Sequence, residues 1–126
     1  PLAVEARVLK LSDGRFVCTG PMAAGNIAEL GPCALIGLGG VSVIVTSRKM
    51  QAYDQALFRH VGIEPGAQKI LALKSSVHFR ADFQPIAEAV LVVAAPGPVV
   101  ADPATLPFTS LRPGLRLRPG DNRRIG

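Results

Sequence analysis

Apolar and polar residues alternate over Ala3–Leu11, where Val4, Ala6 and Val8 are set against Glu5 and Arg7. That period of two is the pattern of a half-buried strand. Asp13-Gly14 follows as a two-residue hairpin signal, and Arg15–Thr19 is predicted to return as the partner strand. Gly20–Pro32 is rich in Gly, Pro and Ala and reads as a loop with room for one helical turn. Cys33–Leu38 and Val41–Thr46 form a second apolar pair joined by Gly39-Gly40. Neither strand carries a charge, which predicts a central place in the sheet.

The period then changes. Tyr53, Leu57 and Val61 recur at spacings of four and predict a helix over about Met50–His60, with Gly62 as its stop. Asp54 and Arg59 fall mostly on the other side of that helix. Ile63–Gly66 reads as a turn, and the run Gln68–Lys74 contains the next strand, Lys69–Leu73. A short helix is predicted over Ala81–Ala89; because proline is tolerated only in a first turn, Gln84 or Pro85 is an alternative start. Ala89–Ala95 is a final apolar strand, closed by Pro96-Gly97-Pro98. Six strands and two helices in this order give an α+β class: a mixed β-sheet built from two hairpins, followed by a helix-strand-helix-strand unit.

Composition narrows the class. A chain of 126 residues suits one domain, and 48% hydrophobic against 18% charged residues suits a folded rather than a disordered one. The most apolar stretch, Leu35–Val45, is interrupted by Gly37, Gly39 and Gly40, well short of the roughly 20 apolar residues a membrane helix needs. The formal charge of +5 is concentrated in Leu111–Gly126, where five arginines (Arg112, Arg116, Arg118, Arg123, Arg124) face one acid, Asp121. The expected division is therefore a domain over residues 1–110 and a Pro/Gly/Arg-rich tail over 111–126. Such a tail reads as a solvated terminus, so neither nucleic acid nor a membrane is an expected partner. Cys18 and Cys33 have no CxxC spacing and read as small buried side chains in a reducing cytoplasm. The start at Pro1 without a Met or a signal peptide suggests a fragment.

Candidate chemistry gathers in Lys74-Ser75-Ser76-Val77-His78-Phe79-Arg80-Ala81-Asp82-Phe83. Two hydroxyls, an imidazole and a guanidinium stand within six positions, between a predicted strand and a helix start that favours anions. A bland reading is open beside the functional one: Ser75 or Ser76 caps a helix, His78 is half-buried and satisfied, and Arg80 pairs with Asp82. Thr46-Ser47-Arg48-Lys49, at a strand end, could likewise hold an anion or be a cap with solvated cations. The other patterns carry no catalytic set. Gly37-Leu38-Gly39-Gly40 lacks phosphate-loop spacing. With only His60 and His78 present, a His-rich metal site is not expected in this stretch. Glu29, Glu64, Glu88 and Asp102 are scattered.

A wider set of motifs runs along the chain: Gly14-Arg15-Phe16, Gly20-Pro21-Met22, Gly31-Pro32, Gly39-Gly40-Val41 and Thr46-Ser47-Arg48, then Gln51, Asp54 and Phe58. These are followed by Gly62-Ile63-Glu64-Pro65, the block from Lys74 to Ala81, Ala95-Pro96-Gly97 and Leu106-Pro107-Phe108. From about Val4 to Leu117 the chain resembles the C-terminal domain of the MlrC (microcystinase C) family of metallopeptidases. The resemblance implies part of a bacterial, zinc-dependent hydrolase whose type member acts in microcystin degradation. It also implies that the zinc ligands lie in a larger N-terminal metallopeptidase domain that this chain lacks, so that no metal is expected on this stretch and no activity from it alone. The Asn-Pro-Gly-Gly-rich segment that opens the family's C-terminal region is also missing. The expected partners are that N-terminal domain, a peptide substrate and, as an open option, further copies of the chain. The residues expected to face the active site are Ser75, Ser76, His78 and Arg80, with Thr46 and Arg48; an open alternative is a purely structural or oligomerisation domain.

Overall fold

In the computed structural model, residues 3–95, 100, 102–116 and 118 are described. They fall in two compact units, Pro1–Val90 and Leu91–Gly126. The first unit holds five strands: β1 (Arg7–Ser12), β2 (Arg15–Val17), β3 (Ile27–Glu29), β4 (Cys33–Leu38) and β5 (Val41–Thr46). Two single-turn helices follow, α1 (Ala56–Arg59) and α2 (Arg80–Phe83), with short 3-10 turns at Pro65–Ala67 and Gln84–Ile86. The architecture is mixed α+β, with two antiparallel sheets ordered β1-β4-β5 and β2-β3. Within the second unit, a 3-10 turn at Pro103–Thr105 starts from Asp102, whose side chain accepts the Ala104 N–H. Asp102 also pairs with Arg118. No helix among the described residues is long and apolar enough to cross a membrane.

The β4–β5 hairpin forms as the sequence predicts, turning through Gly39 at a φ of 58°. The first predicted hairpin does not form. β1 pairs with β4, and β2 pairs with β3. Local side chains explain the change: Ser12 Oγ accepts the Gly14 N–H at 3.0 Å, and Asp13 Oδ1 accepts the Arg15 N–H at 3.0 Å. The second bond occupies the Arg15 amide that a two-residue hairpin would give to Ser12 O. Gly14 O instead accepts Leu30 N–H, sending the chain into the second sheet. A β-carbon on Gly14 would collide with Gly31 O, so the crossing needs glycine there. β4 is central as expected, but β5 is an edge strand among the described residues.

The two faces of the larger sheet differ. Leu11, Ala34 and Val45 are cross-strand partners, as are Val8, Ile36 and Val43, and Leu38 pairs with Val41. This face is wholly apolar, yet Val8, Leu11, Val41, Val43 and Val45 on it are exposed. The opposite face carries Cys33 and Leu35 into the core, which also contains Cys18, Ala28, Leu30, Ala56, Leu57, Val61 and Phe83. His60, just past α1, stacks on Phe16 with centroids 4.8 Å apart. Its Nε2 lies 3.4 Å from Cys33 Sγ. Nδ1 lies 2.6 Å from Leu57 O, a pure acceptor, so Nδ1 holds the proton and Nε2 accepts the Cys33 thiol.

The helices are shorter than predicted. α1 starts at Ala56, because Asp54 Oδ1 accepts the Ala56 N–H and starts the turn there. Past its last residue, Arg59, the chain is stopped at Gly62, where φ is 89°: Gly62 N–H bonds to Arg59 O and Ile63 N–H to Phe58 O, the two bonds of a Schellman stop. α2 begins one residue before its predicted start and runs into the 3-10 turn around Pro85 rather than on to Ala89. Phe83 anchors it edge-on to Phe58 at 5.7 Å. The expected strands Lys69–Leu73 and Ala89–Ala95 form no ladder among the described residues. Pro96-Gly97-Pro98 lies outside the described residues.

Candidate functional site

The polar turn begins where Leu71 and Leu73 are half-buried and Ile70, Ala72 and Lys74 are exposed. Ser75 follows the inward phase, and its Oγ is buried with no hydrogen-bond partner among the described residues. Ser76, Val77 and His78 are exposed, and Arg80 is half-buried at the start of α2. No side chain caps α2, so neither serine has the capping role of the bland reading.

His78 is oriented from a distant segment: its Nδ1 lies 2.8 Å from Gln51 Oε1. A carbonyl oxygen only accepts, so Nδ1 carries the proton and Nε2 remains available. Arg80 does not pair with Asp82. Its Nη1 donates to Gln84 Oε1 at 3.3 Å, and its guanidinium carbon stands 5.3 Å from the centroid of the Phe79 ring. No carboxylate among the described residues partners it, leaving most of its five donors for an incoming acceptor.

Thr46 and Arg48 have other duties. Thr46 Oγ1 donates to Arg48 O at 2.9 Å, while Arg48 N–H bonds to Leu30 O. The Arg48 guanidinium pairs with Glu29 at 3.4 Å, and Glu29 also faces Arg15 at 3.5 Å. Among the described residues, no bond joins Thr46 or Arg48 to Ser75, Ser76, His78 or Arg80. The polar turn is tied instead to Gln51, three residues beyond Arg48.

The sequence reading missed a buried polar network beside the turn. Asp54 is 0% exposed, and its carboxylate accepts Thr19 N–H at 3.3 Å, Gly20 N–H at 2.8 Å and Ala56 N–H at 2.9 Å. Asp82 Oδ2 accepts Gln55 N–H at 2.6 Å, and Gln55 Nε2 donates to Asp82 O at 2.7 Å and Oδ1 at 3.2 Å. Arg59 then joins Gln55 Oε1 to the Glu64 carboxylate, each at 2.9 Å. Burial, followed by the nearby Asp54 charge, pushes the Cys18 thiol above its usual range. Burial also raises the Tyr53 phenol, followed by Cys18 and Asp54. The available signal was local: an aspartate directly before Gln55-Ala56-Leu57 is a helix-capping residue.

This network orders backbone amides and fixes α2 against α1. Among the described residues no three His, Cys, Asp or Glu side chains converge as metal ligands. The donor set among the described residues does not fit a zinc centre.

Residues 1–110 match the family described as MlrC C-terminus. Microcystinase C of Sphingomonas sp. is 33% identical over 70 residues, covering 56% of this chain and 14% of that protein. A solved structure of a candidate metallopeptidase from Mesorhizobium sp. BNC1 superposes with a TM-score of 0.74 at 30% identity, covering 95% of this chain and 24% of the other. The chain therefore spans less than a quarter of the length of either relative.

Proposed function

This chain belongs to the MlrC C-terminal family, and from that premise we propose that it forms one wall of the substrate cleft of a zinc-dependent metallopeptidase. The observation that carries the reading is an oriented, exposed His78 two positions from an Arg80 that no carboxylate among the described residues neutralises. Arg80 binds a substrate carboxylate or carbonyl through its fork of donors. His78, held at Nδ1 by Gln51, presents Nε2 as an acceptor when neutral and as a donor when protonated. Ser75 and Ser76 supply hydroxyls beside them. The zinc ligands and the scissile bond belong to the remainder of the parent polypeptide, and the substrates are peptides. Two free thiols, Cys18 and Cys33, fit a protein of the bacterial cytoplasm.

The test is His78→Ala and Arg80→Ala in the full-length parent enzyme, with kcat and KM measured on a peptide substrate. A loss of tenfold or more in kcat/KM, about 1.4 kcal/mol, is expected for each. If both parameters stay within about twofold of the wild type in both variants, the cleft role is wrong.

A second reading rests on the exposed apolar face of the larger sheet. A solvent-facing patch built from Val8, Leu11, Val41, Val43 and Val45 is the kind of surface that another domain or another copy covers. On that reading the domain is structural, and substitutions in the polar turn change melting temperature or oligomeric state rather than kinetics.

A further inference from the structure

Two segments have strand sequences and no strand partners among the described residues. Lys69–Leu73 and Ala89–Ala95 are both dominated by aliphatic residues, yet neither makes a backbone hydrogen bond among the described residues. Both emerge in the same way. Each follows a 3-10 turn with proline in its first positions, and each leaves that turn extended, Gln68 at φ −88°, ψ 136° and Ala87 at φ −97°, ψ 132°.

Their exposure is opposite to their composition. Ile70 is 87% exposed, and the consecutive residues Leu91, Val92 and Val93 are 85%, 83% and 81% exposed. Leu71 and Leu73 turn inward while Ile70 and Ala72 turn out, the two-residue period of a strand. A run that is apolar on both faces, as in Leu91–Val93, is the composition of a strand buried inside a larger sheet. Left in water it would be an aggregation-prone edge, with no charge or proline between Ala89 and Ala95 to blunt it.

We infer that Lys69–Leu73 and Ala89–Ala95 are strands that pair with a sheet edge in the remainder of the parent polypeptide. This rests on the reading of the chain as one domain of a larger protein. The occupant follows from the relatives: the Mesorhizobium protein contains this fold as 24% of its chain, leaving a much longer body of polypeptide to supply that edge. Strand addition matches what each segment offers, a row of unused amides and carbonyls flanked by aliphatic side chains. Covering Lys69–Leu73 would also enclose the start of the polar turn, next to the Ser75 hydroxyl, which has no partner among the described residues. The missing acceptor or donor for that hydroxyl would then come from the same edge.

Amide hydrogen exchange on the full-length parent tests this directly. Lys69–Leu73 and Ala89–Ala95 are expected to exchange at least about a hundredfold more slowly than the exposed Gly39-Gly40 turn. Exchange as fast as that turn in both segments overturns the inference. So does protection that disappears on dilution to a monomer, which would make the partner a second copy. Ile70→Pro and Val92→Pro each remove one amide donor and are expected to abolish protection locally without altering it in β4. Peptidase activity is measured separately on the same protein. Protection without activity leaves the strand pairing standing and removes the enzyme reading; activity without protection does the reverse.

Discussion

Asp54 Oδ2 accepts the Gly20 N–H at 2.8 Å from a side chain that is wholly buried, joining the loop after β2 to the start of α1. The same carboxylate holds Thr19 and Ala56 through Oδ1. Asp54→Ala strands three backbone donors at once. Each buried, unpaired amide costs roughly 1–3 kcal/mol, so a total loss of about 3 kcal/mol or more is expected in the folded parent. Asp54→Asn keeps one oxygen and turns an NH2 group toward another donor, for a smaller loss of about 1–2 kcal/mol. Urea midpoints read both, and an Asp54→Ala value within about 0.5 kcal/mol of wild type would mean the network carries no stability.

Gly20 also bears on Asp82. A β-carbon added to Gly20 would stand 2.7 Å from Asp82 Oδ2 and 2.8 Å from its Cγ. Asp82 has little freedom to yield, since Gln55 grips it through both a backbone and a side-chain donor. Gly20→Ala is expected to cost about 1–3 kcal/mol. In an Asp82→Ala background the two nearest atoms are gone and only Asp54 Oδ2 at 3.2 Å still crowds the site, so the same change should cost at least about 1 kcal/mol less, a coupling that a double-mutant cycle measures. Strict additivity would show that the clash is absorbed elsewhere.

These contacts mark where sequence reasoning stopped. Gly39-Gly40 and Gly62 were legible because their turns are set by local backbone freedom, and both perform as their spacing implies. Asp13-Gly14 misled for an equally local reason: the Asp13 side chain takes the Arg15 amide that would close the expected hairpin. Asp54 was assigned to the outer side of a helix that does not reach it. Its burial depends on Thr19 and Gly20, some thirty-five residues away, and no periodicity reports that. The polar turn was visible as composition, but the partner that orients His78, Gln51, is non-local.

Alkaline pH is expected to weaken the fold through Cys18 and Tyr53. Burial raises both acids above their ordinary values of 9.0 and 10.0, so the folded state keeps protons that the unfolded chain releases. The stability associated with them is fully present below about pH 9, and it is lost as pH rises through the higher folded values. Unfolding free energy of the parent, followed from pH 7 to 11, should be flat and then fall. The fall should be shallower in Cys18→Ala and Tyr53→Phe compared with wild type at each pH. A profile identical in all three proteins would assign the alkaline loss to other groups.

The Gln51–His78 bond separates positioning from chemistry. Gln51→Ala leaves the imidazole in place but removes the acceptor that fixes its Nδ1 proton. On the proposed cleft role, in the full-length parent it should lower kcat/KM less than His78→Ala does, and shift the pH dependence of activity. Gln51→Glu restores an acceptor and adds a charge that favours the protonated ring, so activity should recover with its pH profile displaced upward. Equal losses in Gln51→Ala and Gln51→Glu, with no pH displacement, would show that the bond is structural only.

Val43→Lys and Ser42→Lys probe opposite sides of β5. Val43 lies on the apolar face with Ile36 and Val8, while Ser42 pairs with Gly37 on the other face, and both positions are exposed. A lysine at either position can keep its charge in water while this domain is considered by itself, so the two changes should cost similarly little there. If the rest of the parent covers the apolar face, Val43→Lys forfeits the burial of a valine and forces a cation against apolar side chains. The expected loss in the parent is about 1.5–3 kcal/mol, with Ser42→Lys near neutral. Denaturant unfolding of the two parent variants measures the difference, and equal midpoints would mean that Val43 faces solvent in the assembled parent.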